Sequence, residues 1–531
     1  MSGEAEQQQA EQAYDLTNSV APYLDRHMMF PLLEFLDGLI TSEQIAYNAT
    51  DIQAARLALL RPTKMVDYTM DIASADAASS NSRNKQLLAE LEQEKSQVLQ
   101  QLETLKEGCK SLQEICENQD QVTKIKAAGH WNVGALQQHH AITKEVVDMY
   151  RQLARFKYDC GDYKSSRDML THYIALFASP PADAAAAQQQ AAGGDDDEFL
   201  QETGGAKDSQ SNNTTTGNPT MYFLQVVDQD MLQVLWGKLA SEIMAEDWEA
   251  ASKAVEAVRT AIESMVTSTS LTHLQALQQR TWLLHWALFV YWNDSANGLE
   301  HLVELFHSER YKQAITTHAP HLLRYLTAAV LLCKRRKKNT KDTNNKENNA
   351  NSTTFEARRL LRNLVFVMQD CEYTDPIVDF VHSLLVKFDF DMAQTKLAEC
   401  QAVLKTDFFL CHQTDLFMEE ARVFLFENYC RIHHKIDLKA LGFKFLAMDP
   451  ADAERWMVDL IRHSDVLQTA KVQEDDCVIM EMEPQSIYEQ VMDRTRDLNV
   501  RSATLTQQLQ NRMVEQRKEK SKREVSAREE E

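Results

Sequence analysis

The residues best suited to chemistry lie in one short stretch. In "CRIHHK", Cys430, His433 and His434 fall close together, with Cys411 and His412 upstream. Such donors suit zinc, which takes four nitrogen or sulfur ligands in a structural site. The spacing lacks a second paired set, and Cys430 and His434 share a helix face with apolar residues. Core packing is therefore the expected role, and no metal is assigned. His139 and His140 form another pair without companion ligands. No GxxxxGKS/T or GxGxxG phosphate cradle, HExxH pair or GxSxG elbow occurs. Carboxylates are abundant, but no pair is singled out for acid–base work. The expectation is no catalytic residue, no cofactor and no enzyme.

The elements around these residues are helical. The chain has 531 residues with only 14 Gly and 10 Pro, a composition that favours long helices and needs several domains or a repeat array. Its net charge of −23 repels phosphate backbones, so any RNA contact must be local. Nine scattered cysteines without CxxC spacing suit a reduced intracellular compartment. The polar start "MSGEAEQQQAEQAY" is read as a disordered tail over residues 1–13 and not as a signal peptide. The apolar run Trp282–Trp292 is too short for a bilayer and reads as a buried helix, so no membrane contact is expected.

A helical domain is expected over residues 14–181, with Pro31 and Pro62 as breaks. Within it, Leu88, Leu91, Lys95, Val98, Leu102, Leu105, Cys109, Leu112 and Cys116 alternate steps of three and four. This stripe predicts a helix from about Asn84 to Asn118, packed on neighbours within the chain; a seam for a partner helix is the alternative. A weak repeat follows. Tyr163, Trp248, Tyr311 and Phe390 each stand three residues before Ser166, Ala251, Ala314 or Ala393. Each is preceded by a charged residue: Asp162, Asp247, Arg310 or Asp389. We read a helical hairpin in each, with the aromatic capping the turn and the small residue admitting a second helix. These units resemble tetratricopeptide-like hairpins, and an all-α, irregular solenoid is the expected fold.

Low-complexity stretches interrupt the array: a linker over 182–220 and a disordered insert over 337–354, inside a helical-repeat part spanning 221–420. The run Lys334–Lys338 at the insert's edge reads as a solvated loop edge, with a nuclear-import or RNA-contacting patch as the alternative.

The pattern changes over residues 421–483. Three helices, the last carrying Ala453, Trp456, Met457, Leu460 and Ile461 on one face, precede a hairpin formed by "VLQTAKV" and "CVIMEM". That order predicts a winged helix. Between Asp437 and Glu483 there are five Lys or Arg against eleven Asp or Glu, and the wing turn is "QEDD". DNA binding is therefore not expected, and Trp456 is read as core. The outer strand around Val478, Ile479 and Met480 is expected to pair with a neighbouring protein of a complex. A last long helix and charged tail fill 484–531, with Ile487, Val491, Leu498, Leu505 and Leu509 on one face.

Helical hairpins leading into a winged helix resemble the PCI family, the scaffold subunits of the proteasome lid, the signalosome and translation initiation factor 3. Seven blocks in order look like one branch, the e-type subunits of initiation factor 3. They are Tyr14–Leu36, Met65–Ile72, Leu235–Ile243, Leu277–Asn293, His321–Val330, Phe388–Leu404 and Ala453–Arg462. The resemblance implies a non-catalytic, cytoplasmic scaffold in a multi-subunit complex, with a nuclear fraction as a secondary expectation. It implies contacts to PCI and MPN subunits through a winged-helix arc and a shared C-terminal helix bundle, which would engage Ile487, Val491, Leu498 and Leu505. It implies docking of the d-type subunit on the N-terminal helices, and binding to the small ribosomal subunit during initiator tRNA and mRNA recruitment. A lid or signalosome subunit of the same fold is the alternative.

Overall fold

The computed structural model describes residues 14–41, 47–76, 82–127, 130–177, 228–294, 297–339, 350–433, 435–437, 455–456, 458–459, 470–473, 477–480 and 487–529. The chain divides into two compact units at Leu425/Phe426, a boundary inside one helix. Most of the described residues are helical, and a small sheet belongs to the second unit.

The first unit begins with a helical turn, Thr17–Val20, and a 3-10 turn, Ala21–Tyr23. Next come α1 (Met29–Thr41), α2 (Ala49–Leu60), α3 (Val66–Asp76), α4 (Ser82–Glu117), α5 (Gln119–Ala127) and α6 (Val133–His140). Pro31 sits in the first turn of α1, where its missing N–H costs nothing, and Pro62 separates α2 from α3. Hairpins follow: α7 (Lys144–Asp159) with α8 (Tyr163–Phe177), then α9 (Gln229–Met244) with α10 (Trp248–Thr267). Helix α11 (His273–Asn293) leads to α12 (Gly298–His307), α13 (Glu309–Thr317), α14 (Leu322–Asn339) and α15 (Ala350–Asp370). Helix α16 (Pro376–His382) continues into a π turn, Ser383–Lys387, before α17 (Phe390–Thr406) and α18 (Thr414–Ile432).

The core is continuous through the repeats. Helix α8 packs on α9, and Ser166 Oγ lies 3.2 Å from Ser241 Oγ. The stretch expected to link two helical domains therefore does not divide the core; residues 178–227, which contain it, lie outside the described residues. Helices α14 and α15 enter the expected insert from both sides, and residues 340–349 lie outside the described residues. The run Lys334–Lys338 is thus on helical backbone, not at a loop edge.

The stripe on α4 is covered unevenly. Cys109, Leu112 and Cys116 are buried, and α4 packs on α7. Val98, Leu102 and Leu105 are half-buried, and Lys95 pairs with Asp67 at 2.6 Å. Leu91, nearer the N-terminus, is buried as well, and α3 packs on α4, so the intrachain reading holds towards both ends of the stripe and is weakest in the middle.

The repeated motif is sharper in three dimensions. Ser166, Ala251, Ala314 and Ala393 are all completely buried, as close helix approach requires. The aromatic does not cap the turn; the carboxylate before it does. Asp162, Asp247 and Asp389 accept hydrogen bonds from the backbone N–H of Ser165, Ala250 and Met392 at 3.3, 3.2 and 3.1 Å. The residue before each Asp is left-handed: Gly161 (φ 89°), Glu246 (φ 59°) and Phe388 (φ 54°). The Asp162 and Asp247 N–H groups reach back to Lys157 O and Glu242 O, ending the first helix as they start the second. Arg310 departs from the pattern: α12 and α13 meet at Ser308, and Arg310 pairs with Glu263.

The second unit holds a three-stranded antiparallel sheet of β1 (Lys435–Asp437), β2 (Ala470–Gln473) and β3 (Cys477–Met480), in the order β1-β3-β2. Lys435, Ile436 and Asp437 form β1, a strand added to the two expected, with Ile436 opposite Val478. Val472 faces the same Val478 from the other side. The strand carrying Val478, Ile479 and Met480 is therefore central, not outer, and is paired on both sides from Cys477 to Ile479. The predicted second helix and much of the third lie outside the described residues; of the expected winged helix the described residues include the sheet and Trp456, whose ring meets Phe426 at 5.9 Å. Helix α19 (Ile487–Glu529) closes the unit.

Asp247→Ala should lower unfolding stability by about 1 kcal/mol, through loss of the cap and of the Arg167 ion pair at 3.1 Å. Asp247→Asn should cost less, because the amide oxygen still caps. Phe388→Gly should raise stability by up to about 1 kcal/mol by relieving the left-handed backbone. Urea unfolding followed by circular dichroism reads all three.

Candidate functional site

The most constrained part of the first unit is the seat of its own N-terminal segment. Residues Tyr14–Thr41 pack along the repeat hairpins and touch helices far away in sequence. Leu16, Val20, Met28, Leu32 and Leu36 are buried, which makes the segment part of the core. At one end, Tyr158 donates to Asp25 Oδ2 at 2.7 Å, and His27 Nδ1 lies 2.9 Å from the Tyr163 hydroxyl. In the middle, Trp286 Nε1–H donates to Tyr23 O at 3.0 Å. The Tyr23 ring stacks on His285 at 4.2 Å. At the other end, Phe35 meets Phe408 edge-on at 5.6 Å.

A buried ion cluster anchors the start of the segment. Arg324, on α14, donates from Nε to Asp375 Oδ1 at 3.0 Å, from Nη1 to Asp407 Oδ2 at 3.0 Å and from Nη2 to Tyr14 O at 2.6 Å. Tyr325 O–H also donates to Asp407 Oδ2, at 3.0 Å. Each carboxylate organises local backbone as well. Asp375 caps α16 through Ile377 N–H, and Asp407 accepts from Phe409 and Leu410 N–H. Arg324 and Asp375 are almost fully buried and Asp407 nearly so. Burial pushes the Asp407 carboxyl up, and the Arg324 guanidinium opposes that shift; with this many donors, we take Asp407 as ionised. A planar fork with several donors suits this seat, and Lys would not reach all three acceptors.

One turn away, His285 Nε2 lies 2.8 Å from His321 Nε2, and His285 Nδ1 lies 2.7 Å from Thr281 O. A carbonyl only accepts, so His285 carries its proton on Nδ1. Its Nε2 then accepts from His321 Nε2–H. Burial holds both imidazoles neutral, His285 lowered to about 3 and His321 to about 4, with Arg324 adding to the latter shift.

The residues singled out from sequence lie elsewhere. Cys430 is buried in α18, the His433 ring rests on Tyr429 at 4.1 Å, and Cys411 and His412 sit in a 3-10 turn. His434 lies outside the described residues. Among the described residues, no three His, Cys, Asp or Glu side chains are grouped to hold a metal. His139 rests against His130 at 4.7 Å. On α19, Ile487, Val491, Leu498 and Leu505 are 78, 56, 64 and 59 % exposed. The Arg324 cluster was missed from sequence. Its signal is one charge inside an apolar helical run, "LLRYLTAAVLL".

Stacked helical hairpins, bound along their length by their own N-terminal segment, define a helical-repeat scaffold. The family model described as the eIF3 subunit 6 N terminal domain matches residues 15–157. Three proteins named as the E subunit of eukaryotic translation initiation factor 3 are similar over nearly the whole chain. The Arabidopsis thaliana protein is 31 % identical, covering 94 % of this chain and 98 % of its own. The Bombyx mori protein is 33 % identical, over 93 % and 94 %. That of Aspergillus fumigatus is 31 % identical, over 93 % and 92 %. The chain belongs to this family, the E subunits of eukaryotic translation initiation factor 3.

Arg324→Met should destabilise the protein by about 3–5 kcal/mol, since two buried carboxylates lose their counter-ion. Limited proteolysis should then cut first within residues 14–41. A second expectation concerns pH. His285 and His321 have folded-state values below the ordinary 6.5, so unfolding takes up protons once pH falls below 6.5. The pair's contribution to stability should therefore be constant above about pH 7 and fall by up to about 3 kcal/mol per pH unit towards pH 4. His321→Gln should flatten that slope in urea titrations.

Proposed function

We propose that this chain is a non-catalytic scaffold subunit of translation initiation factor 3, which supports assembly of the pre-initiation complex on the small ribosomal subunit and mRNA recruitment. The reading is supported by identity to the named proteins of a plant, an insect and a fungus over more than nine tenths of the chain. The observation that carries it is helix α19. Its 43 residues extend about 65 Å, and its large apolar residues between Ile487 and Met513 are 55–82 % exposed. Apolar surface on that scale fits a place among partner helices. The partner subunits, of the PCI and MPN types, dock on this face through Ile487, Val491, Leu498 and Leu505. The edges available for strand pairing are β1 and β2, with Val478, Ile479 and Met480 between them.

The d-type subunit docks on the N-terminal helices, where the half-buried Val98, Leu102 and Leu105 and the exposed Leu99 leave apolar surface on α4. The work is done in the cytoplasm. No described helix is long and apolar enough to cross a membrane. The lid and signalosome alternative is disfavoured by the family match.

Leu498→Asp combined with Leu505→Asp should remove the protein from the small-ribosomal-subunit fraction of a crosslinked lysate gradient without loss of helical dichroism. Co-migration of the wild type with proteasome activity, or a double variant that still co-sediments with the small ribosomal subunit, would overturn this reading.

A further inference from the structure

One part of this acidic chain is strongly basic. Residues 334–362 hold ten Lys or Arg and three Asp or Glu, in a protein with net charge −23. The first five basic residues lie on the helical backbone of α14, which packs against α15. Helix α15 also packs against α13. It buries Leu364, Val367 and Met368 and turns Arg359, Arg362 and Phe366 outward. Their spacing of three and four places them on one face. Lys312 of α13 reaches the same place, its Nζ 4.2 Å from the Phe366 ring centroid. Lys312 and Arg359 both act on half-buried His307, which ties the two helices' cations to one location.

Phe366 is 55 % exposed in a setting where three cations repel one another. Both costs are relieved by the same ligand, one that brings phosphates and a flat ring. We propose that this face of α13 and α15 binds single-stranded RNA. A base stacks on the open side of Phe366, and the flanking phosphates lie on Arg359, Arg362 and Lys312. A duplex keeps its bases stacked and offers nothing to the ring. Only the choice of RNA over DNA rests on the proposed function; the test needs no ribosome, so the two readings fail separately.

The purified full-length chain is titrated into a labelled uridine oligomer of about 12 nucleotides, and into a duplex RNA of equal length, between about 50 and 200 mM salt. The single strand should bind more tightly than the duplex. Arg359→Glu with Arg362→Glu should weaken binding and reduce the log–log salt slope by about 1.4, for two lost phosphate contacts. Phe366→Ala should weaken binding at least about fivefold and leave the slope unchanged. Reversals at Lys110 and Lys253, exposed on other helices, should leave both affinity and slope at the wild-type value. All these positions are on the surface, so helical dichroism should be unchanged in every variant. Equal or tighter binding of the duplex, wild-type affinity in the α15 variants, or equal losses from the Lys110 and Lys253 reversals would overturn the proposal.

Discussion

The seating of Tyr14–Thr41 on the repeat hairpins is the interaction on which the first unit depends. A helical repeat contacts only its sequence neighbours, so an irregular array bends at every joint. Here one segment touches α8 through His27, α11 through Tyr23 and α14 through Tyr14. Its apolar side chains supply most of the gain, about 1.5–3 kcal/mol for each fully buried one. Arg324 adds less net energy, because desolvating three charges consumes much of the Coulomb attraction. What it adds is position. Three acceptors from three distant segments converge on one planar group, so the segment cannot slide along the array without leaving a buried charge unpaired. The neutral His285–His321 pair works alongside it, because its proton order is fixed by the Thr281 carbonyl.

The turns show a second economy. In three hairpins a single Asp ends the helical segment before it with its backbone N–H and starts the next helix with its side chain, Asp389 N–H reaching Ser383 O of the π turn. The left-handed residue before it sets the crossing of the two helices, and the small residue three positions past the aromatic then fits at the contact. The aromatic, the Asp and the small residue were legible as a pattern. The role of the Asp was not, because a charge beside an aromatic does not declare what it bonds. The left-handed residue was legible only at Gly161. Glu246 and Phe388 hold the same conformation against their own preference, so nothing in their type announces it.

Element type was easier to read than strand position. The long helix over the α4 stripe followed from periodicity, and the burial of Trp282–Trp292 from an apolar run with little polar relief. The order of the small sheet did not follow. β1 has three residues and continues a helical pattern through "CRIHHKI", so it carries too little alternation to be seen. Missing it turned the central strand into an apparent edge. The site was legible to the same degree. The α19 stripe was visible in the sequence, but the Arg324 cluster joins residues 14, 324, 375 and 407, and no local pattern links positions that far apart.

The two ends of the chain obey opposite rules. The N-terminal segment is covered by its own chain, whereas the α19 stripe is not. That stripe is also a poor seam for self-association. Taking Val491, Leu498 and Leu505 as one heptad position, the facing position reads Tyr488, Thr495, Ser502 and Leu509. Two of these four, Thr495 and Ser502, are small and polar, and Thr495 already donates to Val491 O at 2.7 Å. A two-stranded coil gains most of its stability from apolar residues at both positions. With one position half polar, a single partner helix recovers only part of the exposed area. Several helices packed around α19 recover more, because Ile487, Met492 and Val500 lie beside the seam and are exposed too. The sequence of α19 therefore favours a place in a bundle over a pair, and makes the helix depend on its partners for cover in a way the N-terminal segment does not.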